Sequence, residues 1–239
     1  MNYLNTRPLL YGIQHSAVMN EIELVGDYPS NIAGALISGD IDLGLVPVAI
    51  IPTLKEHYII TDYCIGCDGA VASVCLFSEV PLEKVERILL DYQSRTSVEL
   101  AKILLRDYWK IKPELVAATA DYRESIKGNT AGLVIGDRSF EQRKISPYIY
   151  DLGQAWKDYT GLPFVFAAWV SNKPLEEGFI KSFNQSNKEG ICQVRKIIEQ
   201  EHYHLFDLET YYTKHIQYHF DGDKKKALEM FLKKVKGEG

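Results

Sequence analysis

VERILLDYQSRTSVELAKILLRDYW, residues 85–109, changes its hydrophobic period in the middle. Up to Gln93 it is an apolar run that reads as a strand, whereas Val98, Ala101, Leu105 and Tyr108 fall on one face of a helix. The junction is Ser94-Arg95-Thr96-Ser97, and the spacing Thr96-x-x-Glu99 is that of a capping box, which predicts a helix beginning at Thr96. A strand feeding directly into a helix is the building unit of α/β proteins. The same junction is the best anion site in the sequence. A helix start presents unpaired N–H groups and roughly half a positive charge, and here several hydroxyls and the Arg95 guanidinium add donors for a carboxylate. The competing reading is that Thr96 merely caps and Arg95 points to solvent.

Working outward, residues 6–20 read as a helix with Pro8 in its first turn and Leu9, Leu10, Ile13 and Val18 as its apolar stripe. Glu21 to Val25 alternates like a short strand. Ser30 is placed to cap a helix running through Ile37 and stopped by Gly39, after which DIDLGLVPV turns into a buried strand. Two longer apolar runs, GAVASVCLFS (69–78) and LPFVFAAWV (162–170), are long enough to cross between lobes. Between them lie the short strands ELVAA and AGLVIGD and the helix DLGQAWKDYTG, closed by Gly161. From Pro174 onward the chain reads as helical, ending in a stripe of Leu228, Phe231, Leu232 and Val235. The alternation predicts an α/β protein with mainly parallel sheets and two lobes. Residues 1–72 and 168–239 are expected in a discontinuous first lobe and 73–167 in the second, with a ligand in the cleft.

Composition narrows the function classes. The 239 residues carry a net charge of −5, which argues against nucleic acid as a partner, because phosphate backbones are held by clustered Lys and Arg. The one basic run, Lys224-Lys225-Lys226 with Lys233, Lys234 and Lys236, reads as a solvated helix face. Cys64, Cys67, Cys75 and Cys192 make no disulfide framework and point to a reducing compartment. Cys64-x-x-Cys67 has redox or zinc spacing, but no second half completes a metal site, so a structural role is expected. His215 and His219 are spaced i, i+4 as on a helix, without the Glu of an HExxH motif. Neither a basic n-region with an apolar run nor a stretch of the ~20 apolar residues that span a bilayer is visible, so a soluble, cytoplasmic protein without membrane contact is expected. The oligomeric state is not legible.

Several single residues are placed for chemistry. Ser73 falls within an apolar run, where its hydroxyl either bonds back to the chain or donates to a ligand; no GxSxG elbow surrounds it. There is no P-loop or GxGxxG, which argues against a nucleotide cofactor. Asp137 follows the strand GLVIG, where it either projects a carboxylate toward a ligand or caps the next turn. Asn5 offers a neutral amide with both donors and an acceptor.

Taken in order, YLNTRPLLYG, GDIDLGLVPVA, GAVASVCLFS, LDYQSRTSVELAKILL, GLVIGD and YDLGQAWKDYTGLPFVFAAWV, with YHFDGDKKKALEMFLKKV at the end, resemble the chorismate dehydratase family of the futalosine route to menaquinone. The resemblance covers essentially the whole chain. It implies a type II periplasmic-binding-protein-like fold used as a cytoplasmic enzyme, a carbon–oxygen lyase, with chorismate between the lobes and no metal or organic cofactor. Water would be eliminated to give 3-[(1-carboxyvinyl)oxy]benzoate, with ring aromatisation as the driving force. Asn5 would touch the substrate near the reacting ring and bond the leaving 4-hydroxyl. Ser73 and the Ser94-Arg95-Thr96-Ser97 helix start would bind carboxylates. Asp137 and the substrate's own enolpyruvyl carboxylate are both candidates for the base. The resemblance also implies a short apolar strand leading into YLN, and Met1-Asn2 stand where that strand should end. Two other classes are weighed against this reading: the sister enzyme that makes dihydroxynaphthoate, for whose catalytic His no histidine stands in a matching place, and a non-enzymatic binding module for a small anion.

Overall fold

The computed structural model describes residues 3–237. Met1 and Asn2, on which the expected upstream strand falls, lie outside the described residues. In chain order a 3-10 turn, Leu4–Thr6, runs into α1 (Arg7–Gln14) and is followed by α2 (Pro29–Ser38), β1 (Leu43–Pro47), β2 (Tyr58–Cys67), β3 (Val74–Ser78), β4 (Arg87–Leu90) and α3 (Arg95–Ile103). Next come β5 (Glu114–Ala117), β6 (Thr130–Ile135), α4 (Arg138–Gln142), β7 (Tyr148–Asp151), α5 (Leu152–Thr160) and β8 (Phe164–Ser171). The chain ends with α6 (Glu177–Cys192), α7 (Val194–Gln200), α8 (Leu208–Thr210), β9 (Gln217–His219) and α9 (Gly222–Lys236).

The chain divides into two compact units, Met1–Gly66 with Val165–Gly222, and Cys67–Phe164 with Asp223–Gly239. The C-terminal helix α9 therefore goes with the second unit, unlike the expected grouping of 168–239 with the first lobe. Its Phe231 packs edge-on to Trp156 and Phe164, at ring centroid distances of 6.2 and 5.1 Å. Lys224, in the run expected to be solvated, is 2% exposed, and Lys234 reaches Asp107 and Tyr159 at 3.0 Å. A long alkyl stem lets a lysine bury most of itself and still place its ammonium on a partner.

The first unit is built on a four-stranded sheet in the order β1-β8-β2-β9. Its helices α1 and α6 cross at two glycines. A Cβ on Gly12 would run into the Ser186 carbonyl, and one on Gly190 into the Pro8 carbonyl, so only the absence of side chains lets these backbones meet. Glu21–Val25 is not a strand. Its alternation suits one, but strand backbone needs a ladder partner, and this stretch has none among the described residues. Helix α2 starts at Pro29 rather than on a Ser30 cap, and Gly39 closes it at φ +85° as expected. The segment after Pro174 is not wholly helical, since Gln217–His219 forms β9 against β2. His215 and His219 are thus on different elements. The first packs on Phe206 and the second on Tyr63.

The second unit holds a five-stranded sheet, β5-β4-β6-β3-β7. Strands β4, β5 and β6 are parallel, because α3 and a loop carry the chain back between them, while β3 runs antiparallel to both β6 and β7. The β1–β8 and β2–β9 pairs are antiparallel as well. The expectation of mainly parallel sheets fails: parallel pairing needs a crossover connection and is found among the described strand pairs only at β4–β5 and β4–β6. All five residues of the interior strand β3 are buried. The run 69–78 becomes regular only from Val74, and the strands that contain the boundaries between the two units are β2 and β8.

Candidate functional site

One end of the second sheet gathers most of the residues singled out by the sequence. Strands β4 and β6 are parallel and finish side by side, and β3, antiparallel to β6 with Val74 opposite Ile135, begins there. Ser73, the Ser94–Ser97 junction and Asp137 therefore share that end. Asn5 belongs to the first unit.

Helix α3 begins at Arg95, and its N-cap is Ser94 rather than Thr96: the Ser94 Oγ accepts from the Ser97 N–H at 3.2 Å and donates to the Ser97 Oγ at 2.9 Å. Ser94 takes this place because it is the last residue with extended φ and ψ, which an N-cap needs. Thr96 is fully buried, whereas Arg95 is exposed and has no hydrogen-bond or ion-pair partner among the described residues.

Behind this helix start lies a cluster the sequence reading missed. Asp91, just past β4, has its carboxylate wholly buried, and Arg138, opening α4, meets it at 2.6 Å. Arg138 also donates to Gln93 Oε1 at 3.0 Å, and Gln93 N–H donates to Asp91 Oδ1 at 2.7 Å. The Tyr122 hydroxyl lies against the Leu133 carbonyl and 3.1 Å from Asp91 Oδ2. Burial pushes the Asp91 carboxyl up, opposed first by the Arg138 charge. Burial, aided by Asp91, pushes the Tyr122 hydroxyl up so that it stays a donor. These bonds tie the ends of β4 and β6 together and hold the loop that presents Ser94. Asp137, between Gly136 and Arg138, makes no side-chain cap to α4.

Ser73 lies not in a strand but in a tight turn before β3. Its N–H donates to the Val71 carbonyl two residues back at 2.8 Å, and Ala72 between them has φ +65°. This is a γ-turn of the rare, strained kind. An L-residue held there costs on the order of 1–3 kcal/mol, so surrounding bonds must compel it. They come from Asp151: its two carboxylate oxygens accept the N–H groups of Val71 at 3.0 Å and Ala72 at 2.7 Å. From the other side Arg143 Nε donates to the Ala72 carbonyl at 2.9 Å. Asp151 is legible in sequence as the N-cap of α5, where it accepts from Gly153 and Gln154. Its grip on residues about eighty positions away is not.

In the first unit Asn5 sits in the 3-10 turn that leads into α1. Tyr218 donates its hydroxyl to the Asn5 carbonyl and Tyr212 to the Leu4 carbonyl, both at 2.9 Å. The Asn5 side-chain Oδ1 is buried and has no hydrogen-bond partner among the described residues. Buried amide oxygens are nearly always paired. The first unit also contains a cavity of about 860 Å³. Glu21, Glu23, Asp27, Asp40, Asp42 and Glu176 line it against Lys173 alone, a balance that repels a dianion.

Cys64 and Cys67 are both buried, and they do not form a pair. Cys64 faces the β9 carbonyls at 3.9–4.0 Å, while a Cβ added to Gly153 would meet the Cys67 sulfur. Burial raises the Cys67 thiol well above its ordinary value. No group of three His, Cys, Asp or Glu side chains able to hold a metal occurs among the described residues. Nor, among those residues, is any helix long and apolar enough to cross a membrane.

Two mixed α/β units give the chain a periplasmic-binding-protein-like fold. It matches the periplasmic aliphatic sulphonate binding protein SsuA from Escherichia coli at a TM-score of 0.55 and 15% identity, over 99% of this chain and 77% of that one. Protein AF1704 from Archaeoglobus fulgidus matches at a TM-score of 0.77 and 14% identity, over 98% and 95% of the two chains. The family profile for menaquinone biosynthesis matches residues 1–236, and the chain belongs to that family. Among its relatives, the chorismate dehydratase of Thermus thermophilus is 24% identical over 96% of this chain and 91% of its own length. That of Campylobacter jejuni is 26% identical over 99% and 96%. Both relatives are, by name, enzymes.

Proposed function

We propose that this chain is a hydro-lyase that dehydrates chorismate to 3-[(1-carboxyvinyl)oxy]benzoate for menaquinone synthesis by the futalosine route. What carries the reading is the match along nearly the full length to two chorismate dehydratases. In the elimination the C3–H bond breaks, its electron pair forms the C3=C4 double bond, and the C4–O bond breaks. The departing oxygen leaves with the abstracted proton as water. Aromatisation drives the step, so the protein has mainly to hold the substrate and take charge as it develops.

Ser73 and the Ser94-Arg95-Thr96-Ser97 helix start bind carboxylates in this reading. Exposed Arg95 and the Ser97 hydroxyl, whose own proton is not taken by Ser94, suit a carboxylate at a helix N-terminus. Asn5, whose buried Oδ1 has no partner among the described residues, hydrogen-bonds the leaving 4-hydroxyl and orients it. The proton at C3 goes either to Asp137 or to the enolpyruvyl carboxylate of the substrate itself.

Incubation with chorismate should yield a product lighter by one water, with a new aromatic absorbance. Chorismate bound but unchanged would instead favour an anion-binding module. Asn5→Ala should lower kcat/KM by roughly 10- to 100-fold, the range expected for losing a bond to a buried polar group; full turnover would remove Asn5 from the mechanism. Asp137→Asn separates the two bases: a collapse of kcat assigns the proton to Asp137, and an unchanged kcat assigns it to the substrate carboxylate.

A further inference from the structure

We infer that Asp151 is a positioning residue for Ser73, holding the strained turn that carries it, with Arg143 as its partner; Ser73 is buried with its hydroxyl bonded back to the Val71 carbonyl at 3.5 Å, and the inference rests on the reading of Ser73 as a carboxylate contact. Every backbone donor and acceptor from Val71 to Ser73 is engaged. The N–H groups of Val71 and Ala72 go to the two oxygens of Asp151 at 3.0 and 2.7 Å. The Ala72 carbonyl takes Arg143 Nε at 2.9 Å, the Val71 carbonyl takes the Ser73 N–H at 2.8 Å, and the Ser73 carbonyl takes the Gly136 N–H at 2.8 Å. Arg143 also faces Asp151 at 3.5 Å, so carboxylate and guanidinium hold one residue, Ala72, at its N–H and at its C=O.

The arrangement is more than a helix cap demands. An N-cap Asp has to satisfy one or two N–H groups of its own helix, and Asp151 does that through Oδ1 to Gly153 and Gln154 at 3.0 and 3.1 Å. The additional bonds reach to the approach of the neighbouring strand β3, where Ala72 is one of two non-glycine residues held at positive φ among the described residues. Strain of this kind persists only where its surroundings over-determine it, and it gathers at functional sites. Gly136, which binds the Ser73 carbonyl, is followed directly by Asp137. The turn, the end of β6 and the carboxylate clamp thus form one connected network.

The test is Asp151→Asn in the full chain. An amide offers one acceptor oxygen where the carboxylate offers two, so whichever way it turns one set of N–H groups faces a donor. KM for chorismate should rise about tenfold or more, with kcat changed less. Amide hydrogen exchange across residues 69–75 should quicken by a similar factor. Gly161→Ala is the control: it strains the far end of the same helix, at φ +74° with open space around it, and should alter neither KM nor exchange in the turn. A Gly161→Ala protein with the same rise in KM would make the effect a general loss of stability and overturn the inference. An Asp151→Asn protein with unchanged KM and unchanged exchange would overturn it as well. Should Asp151→Asn not fold, Arg143→Gln leaves the helix cap intact and is expected to shift both readouts the same way; no shift in either sinks the positioning role. If the unaltered protein leaves chorismate untouched while Asp151→Asn still speeds exchange in the turn, the clamp stands and the proposed reaction falls.

Discussion

Removing the guanidinium of Arg138 would strand the Asp91 carboxylate, which has no exposed side-chain surface. Breaking a buried pair from one side typically costs 3–5 kcal/mol, because the remaining charge stays desolvated. Arg138→Ala is therefore expected to lower the urea midpoint by roughly that much stability, and Asp91→Asn, which leaves no carboxylate behind, by clearly less. Equal losses in urea titrations of the two variants would show that the pair acts through packing rather than charge. The same scale shows what a residue's neighbours in sequence do and do not reveal. The helix start near 94–97 was legible, but the cap fell to Ser94, because dihedral angles choose the capping residue and a spacing rule does not. Ser73 was read as part of an apolar strand, yet it lies in the turn before β3. The bonds that bend its backbone come from Asp151 and Arg143, more than sixty residues away.

At the scale of elements the helix stops were readable and the strands were less so. Gly39 and Gly161 end α2 and α5 in left-handed conformation, as glycines after an apolar stripe should. Strands β2, β7 and β9 went unread and Glu21–Val25 was read as a strand, since pairing depends on what lies alongside. The crossing of α1 and α6 was equally hidden, though it holds the turn that carries Asn5. Gly190→Ala places a methyl against the Pro8 carbonyl, where no flexible side chain gives way, and overpacking of this sort costs about 1–3 kcal/mol. A thermal melt should show that loss, and an unchanged midpoint would mean the helices separate freely. In the second unit, α9 is tied down by Lys234 on Asp107 at 3.0 Å. The Asp107 carboxyl is held at about 2 against its ordinary 3.8, by hydrogen bonds from Arg106 first and then from Lys234. A carboxyl lowered on folding stabilises in full above its ordinary value and loses that contribution as pH falls through the folded one. The stability gap between the native protein and Asp107→Asn should therefore be widest above pH 3.8 and close toward pH 2. Chemical denaturation at several pH values measures it; a gap independent of pH would remove the charge from the explanation.

For the molecule as a whole, the sequence by itself determined the α/β class, the helices with their glycine stops, the strand-to-helix junction at 94–97 and the family. These follow from hydrophobic period, local backbone preference and the order of motifs, all carried by residues close together in the chain. Only the tertiary structure decided that most of the described strand pairs are antiparallel, that the C-terminal helix belongs to the second unit, and that Cys64 and Cys67 face apart. It also decided which residues keep company: Asp91 with Arg138 and Tyr122, and Asp151 with the turn before β3. Each of these is a contact between distant segments. Such contacts are set by which donors and acceptors must be satisfied once burial has removed water, a demand that arises only when the chain has folded.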